Sequence, residues 1–177
     1  MSTAHHRTAQ EKGRAAPEAS PQTLFRIADI LLDEHSVLRR SPEIEQERAV
    51  AIRDLLAQNH FVPAGSTGGP YHLHLAIAEN RLVITIRLSN GEAHGRIALS
   101  LNPFRQVVRD YFSVCETYFT AIRGAPRSRI EVLDAGRRGL HNEGSELLTE
   151  QLKGKAELDF ETARRLFTLI CVLHLKA

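Results

Sequence analysis

Between Pro70 and Leu101 apolar and polar positions alternate with a period of two; on either side they recur every three or four residues. Tyr71, Leu73, Leu75 and Ile77 alternate with His72, His74, Ala76 and Ala78. Leu82, Ile84, Ile86 and Leu88 alternate with Arg81, Val83, Thr85 and Arg87, and Ile97, Leu99 and Leu101 with Arg96, Ala98 and Ser100. This pattern predicts antiparallel strands with one buried and one polar face. Asn90-Gly91 is a hairpin signal. A two-residue loop there sets Arg87 opposite His94, Thr85 opposite Arg96 and Ile84 opposite Ile97. A two-residue Glu79-Asn80 loop sets His72 opposite Arg87 and His74 opposite Thr85. Both registers pair apolar with apolar, which a one-residue slip would destroy. The outer face then carries two rows, His72–Arg87–His94 and His74–Thr85–Arg96.

The helical period frames this region. Phe25–Leu32 reads as a further strand, interrupted by Asp29. Ser41-Pro42-Glu43 supplies an N-cap, a first-turn proline and a first-turn acid, so a helix is expected to about Ala57, burying Ile44, Ala51, Ile52, Leu55 and Leu56. Gly65–Pro70 is a loop without the Lys-Ser/Thr ending of a phosphate-binding loop. Asn102-Pro103 repeats the cap-then-proline start, and Phe104, Val108, Tyr111, Cys115, Tyr118 and Ile122 form one seam. Gly124-Ala125-Pro126 ends that helix, and the next, Arg127–Leu152, should return antiparallel. After Lys153-Gly154-Lys155, Asp159 caps a last helix, Phe160–Leu175, apolar almost all round and therefore buried. The expected fold is α+β: a three- to four-stranded antiparallel meander packed on one face by about four helices, the last three forming a helical hairpin plus a buried C-terminal helix. Residues 23–177 form a single domain, preceded by a disordered tail, residues 1–22, that contains His5 and His6.

Polar interruptions of the apolar stripes are where function is sought, because unpartnered polar groups at core-facing positions cost stability. In Asp134–Leu148 (DAGRRGLHNEGSELL) the stripe Ile130, Leu133, Leu140, Leu147, Leu148 is broken at Arg137 and Gly144, beside His141, Asn142 and Glu143. Arg137 and His141 share a helical face, and Asp134 can pair with Arg138. Guanidinium, imidazole and carboxylate together could hold an oxyanion and move protons, making Arg137, Arg138, His141 and Asn142 candidate ligand-binding residues and His141 and Glu143 candidate catalytic ones. The plainer account is a structural network, Arg137 paired with a carboxylate and His141 satisfied. Gly136, Gly139 and Gly144 each cost about 1 kcal/mol against Ala within a helix; close helix packing, or a local break presenting His141-Asn142-Glu143, would explain them.

Phe167, Cys171 and His174 share a face of the last helix, but no paired metal-ligand spacing accompanies them, and burial would blunt Cys171 as a nucleophile. On the sheet, His72, His74, Arg87, His94 and Arg96 are candidate partner-binding residues: cations among the histidines oppose a metal and favour an anionic partner. No aromatic for base stacking lies on that face. No metal or other cofactor is expected.

Composition changes this picture little. The 177 residues carry 23 Lys and Arg against 21 Asp and Glu, so an anionic partner would have to be bound by a local patch. Two cysteines inside apolar helical patterns read as buried thiols of a reducing cytoplasm. No apolar segment in residues 1–22 suggests a signal peptide, and Leu166–Leu175 is too short to span a bilayer.

RRGLHNEGSELL (Arg137–Leu148) and DFETARRLFTLICVLH (Asp159–His174) resemble the signatures of an uncharacterised bacterial family, number 262 in the uncharacterised-protein series. Arg39–Leu56, Gly69–Val83 and Asp110–Ile122 resemble the same pattern, which omits the tail and Ser89–Ile97. The resemblance implies a small cytoplasmic bacterial protein and brings no established activity, cofactor or catalytic residue. It also implies Arg in relatives at the position of His72. The function expected first is a non-enzymatic binding module for an acidic protein, for nucleic acid or for a second copy of the chain through the α-helical seam. The rival is an enzyme or anion-binding protein built on Arg137, His141 and Glu143.

Overall fold

The computed structural model describes residues 24–33 and 41–174; the expected tail, with His5 and His6, lies outside them. Six strands and four α-helices follow in chain order: β1 (Ile27–Leu32), α1 (Pro42–Ala57), β2 (Phe61–Pro63), β3 (Tyr71–Ala78), β4 (Arg81–Leu88), β5 (Ala93–Ser100), α2 (Arg105–Ala121), α3 (Arg127–Leu152), β6 (Ala156–Leu158) and α4 (Phe160–His174). The fold is α+β, with helices against one face of a four-stranded sheet ordered β1-β3-β4-β5. The β3–β4–β5 meander is antiparallel, whereas β1 runs parallel to β3. A parallel neighbour needs a long crossover, and α1 lies within it. Strands β2 and β6, too short to show a period, form a separate antiparallel ribbon that the sequence pattern did not reveal.

The Glu79-Asn80 turn behaves as expected. Both residues have positive φ, and His72 faces Arg87 while His74 faces Thr85. At the other turn the backbone departs from expectation. The Leu88 amide bonds the Glu92 carbonyl at 2.9 Å, leaving three loop residues, Ser89, Asn90 and left-handed Gly91. A bulge then absorbs the surplus: Arg87 faces Ala93 and Ile86 faces Gly95, so Thr85–Arg96 and Ile84–Ile97 pair as predicted. His94 is displaced from the row with His72 and Arg87, and its ring lies 5.5 Å from core Tyr71.

Ser41 caps α1 by accepting the Ile44 amide, and Asp159 caps α4 by accepting that of Thr162 at 2.8 Å. Asn102 is not the cap expected. Its side-chain oxygen accepts from Asn80 at 2.7 Å, and α2 starts through a 3-10 turn, Asn102–Phe104. The buried part of the α2 seam, Phe104, Val108, Tyr111 and Cys115, enters the molecule's own core, and only its end, Ile122, is exposed. Asn59 holds the edge strand: its amide bonds both the N–H and the carbonyl of Ile27, and the Leu55 carbonyl at the end of α1. Helix α4 is buried almost all round from Leu166 to Leu173 and packs on α1, α3 and β3. No helix among the described residues is long and apolar enough to cross a membrane.

Candidate functional site

Two helices that face each other repeat one spacing. Glu47, Val50, Ala51 and Asp54 lie at i, i+3, i+4 and i+7 on α1, and Glu161, Arg164, Arg165 and Thr168 do the same on α4. Each set is therefore one helical face. With Arg137, Arg138 and His141 from α3 and Tyr111 from α2, they line a cavity of about 200 Å³. Four guanidinium groups and three carboxylates surround it.

Glu47 and Glu161 of the lining, with Asp134 beside it, hold these guanidinium groups. Arg137 bonds Asp134 at 3.0 Å, lies 3.6 Å from Glu47, and sits over the Tyr118 ring with its carbon 5.0 Å from the centroid. Arg138 reaches the other oxygen of Asp134 at 3.2 Å. Glu161 takes Arg165 at 2.8 Å and Arg164 at 3.6 Å. Burial works against the charge of Arg137, but the Asp134 hydrogen bond, Tyr111 and Glu47 outweigh it and hold its pKa above the ordinary value. The Nε–H groups of Arg137 and Arg165 are different: both are buried, and neither has a hydrogen-bond partner among the described residues. A buried donor without an acceptor costs free energy, and such a group calls for an explanation.

His141 is held at both nitrogens. Arg164 Nε donates to Nδ1 at 3.2 Å, and Nε2 lies 2.7 Å from Thr168 Oγ1, which donates to the Arg164 carbonyl at 3.2 Å. This circuit assigns the proton of a neutral imidazole to Nε2. Tyr111 and Phe167 pack against the ring, each with its centroid 5.6 Å away. Burial first, then Arg164 and Arg137, lower its pKa to about 4.

Of the residues singled out on α3, Arg137, Arg138 and His141 converge on the cavity. Asn142 and Glu143 do not line it, and Glu143 is exposed. The expected local break is absent, since α3 runs unbroken through Gly144. That glycine makes room for a ring instead: a Cβ there would lie 2.1 Å from Phe167 Cζ. At Gly139 a Cβ would meet nothing within 4 Å, and at Gly136 only Val114, at 3.9 Å. Arg164, Arg165, Thr168, Tyr111 and Glu47 were missed, although the polar face of the otherwise apolar α4 marked three of them.

The other candidates are placed as follows. Cys115 and Cys171 are free and buried, and burial pushes the first up to about 11 and the second well above the ordinary range. Burial lowers His174, also near Arg105. No group of three or more potential metal ligands occurs among the described residues. On the sheet, Asp29 of β1 joins the row of His72 and Arg87, and Leu31, 62% exposed, joins that of His74, Thr85 and Arg96.

A model of the uncharacterised protein family UPF0262 matches residues 24–176, spanning both the cavity and the sheet. The chain belongs to this family. A UPF0262 protein of Brucella canis is 57% identical over 150 residues, covering 84% of this chain and 93% of its own. One from Rhizobium etli is 53% identical over 150 residues, 85% of this chain and 95% of that one. No solved structure matches the chain. UPF0262 membership brings no activity, so the chemistry must be argued from the site.

Proposed function

We propose that this UPF0262 protein binds a small oxyanion, a carboxylate or a phosphate, in the four-helix cavity, and binds it without transforming it. The observation that carries this reading is a cavity walled by four arginines, two of which, Arg137 and Arg165, also keep a buried Nε–H without a hydrogen-bond partner among the described residues. Guanidinium presents its donors in a fixed fork suited to planar or tetrahedral oxyanions. Binding rather than catalysis is supported by the state of the reactive groups. His141 is neutral and engaged at both nitrogens, and the two thiols are buried with raised pKa values. Buried free thiols fit a reducing compartment, and we place the protein in the cytoplasm.

The test is thermal unfolding of the full chain with phosphate, sulfate, acetate or succinate, against sodium chloride at matched ionic strength. A ligand at a hundredfold excess over Kd stabilises by about 2.7 kcal/mol, which is roughly 5–10 °C for a domain of this size. A saturable rise with one oxyanion, lost in Arg137→Gln and Arg165→Gln, is expected. No saturable rise with any of them, or a rise that both variants retain, would remove the proposal.

The sheet face first expected to dock an acidic partner is a weaker second reading, because Asp29 stands in its first row and His94 has left it.

A further inference from the structure

Among the described residues β5 has one neighbour, β4, and its other edge is open. A groove of about 370 Å³ runs along that edge, walled on the far side by Pro63, Ala64 and Lys155, where the β2–β6 ribbon begins. Its apolar floor is Ile86 and Ile97. Gly95, in the middle of its length, leaves open space, since a Cβ there would meet nothing within 4 Å. The ionisable groups lining it are His94, Arg96 and Lys155, all basic, with no carboxylate among them. In this it differs from the helical cavity, where carboxylates nearly balance the arginines. The bulge causes part of the difference: it turns His94 from the outer face toward Tyr71 and into this groove.

An open strand edge presents unpaired N–H and C=O groups and is a template for another strand unless it is covered, shortened, bulged or interrupted by proline. The eight residues of β5 include no proline, and the bulge lies at its first residues, leaving Gly95–Ser100 in unbroken register with β4. We propose that this edge accepts an extended, acidic segment of a partner protein as a fifth strand of the sheet. Main-chain hydrogen bonds would supply the common part of the affinity, and side chains the specificity. Carboxylates on one side of the added strand meet Arg96, and those on the other meet Lys155 and His94. Small apolar side chains fill the floor over Gly95 and Ile97. A nucleic acid would use the charge but neither the backbone edge nor the floor. The proposal is independent of the helical cavity, to which none of these residues belongs.

The experiment measures fluorescence anisotropy of a labelled Glu-Glu-Val-Glu-Val-Glu-Glu peptide, which as a strand carries three carboxylates on one side and two carboxylates flanking two valines on the other, titrated with the full chain. Two control peptides replace Glu by Lys, or carry N-methyl groups on alternate backbone amides. Saturable binding of the first is expected, with each control weaker by about tenfold or more. Arg96→Glu with Lys155→Glu should weaken binding similarly; both side chains are exposed, and an unchanged melting temperature establishes that the variant is folded. Any of four results would overturn the proposal: no saturable binding at millimolar concentration, equal binding of the Lys peptide, equal binding of the N-methylated peptide, or equal binding by the double variant. A single-stranded oligonucleotide that displaces the peptide at lower concentration than unlabelled peptide would overturn it in favour of nucleic acid.

Discussion

The helical cavity and the outer sheet face both gather basic side chains, but only one ties them to the fold. Around the cavity, Arg137, Arg164 and Arg165 are part-buried and paired with carboxylates from their own or a facing helix, and Arg164 is linked through His141 to the core ring Phe167. On the sheet, Arg87 and Arg96 are exposed, and Arg87 donates to a carbonyl of its own turn, Gly91, at 3.3 Å. Exposed charges in water contribute little to stability, whereas part-buried ones change with packing and protonation. Perturbing the cavity should therefore change folding, and perturbing the sheet face should change association alone.

The largest effect should come from Gly144→Ala. Phe167 is held by Phe104, Tyr111 and His141 and cannot cheaply move away from a Cβ 2.1 Å from its Cζ, so urea unfolding should show a loss of about 3 kcal/mol or more. Gly139→Ala, five residues earlier on the same helix, should gain about 0.5–1 kcal/mol, because its site is open and alanine is the better helix former. Equal effects at the two positions would break the account of α3. Next is the pH dependence from His141. Its pKa is about 4 when folded against an ordinary 6.5, so below 6.5 the unfolded chain takes up a proton that the folded chain does not. The stability it contributes is complete above about pH 6.5 and is lost as pH falls toward 4, by at most about 3 kcal/mol. His141→Asn should flatten that part of the unfolding profile; an unchanged slope would mean the histidine is not buried neutral. The smallest effect belongs to Arg87→Glu, within about 0.5 kcal/mol of the parent chain. A larger loss would show that the sheet face is coupled to folding after all.

The fold was legible where one period persisted. Strands β3 and β4 and helices α1 and α3 lie where their patterns put them, because each buries one regular face. The β2–β6 ribbon was not legible, since three residues carry no period. Nor was the direction of β1, which depends on where α1 leaves the chain. Two departures at the β4–β5 turn, an extra loop residue and a bulge, cancelled for Thr85 and Arg96 and displaced only His94. The cavity was half legible. Arg137 and His141 announced themselves by interrupting an apolar stripe. Arg164, Arg165 and Thr168 begin a helix whose later turns are apolar, and Glu47 sits on an ordinary amphipathic helix. Their convergence depends on how α1, α3 and α4 pack, which no local pattern encodes.

Helix α4 follows every other element in chain order, yet β3, α1 and α3 all pack against it. On the ribosome the meander and the α2–α3 hairpin emerge with nothing to close over their apolar faces until Phe160–His174 has cleared the exit tunnel. At 5–20 residues per second, roughly four to fifteen seconds pass between Ser100 and the end of α4. During that interval the nascent chain is a natural client for a holding chaperone.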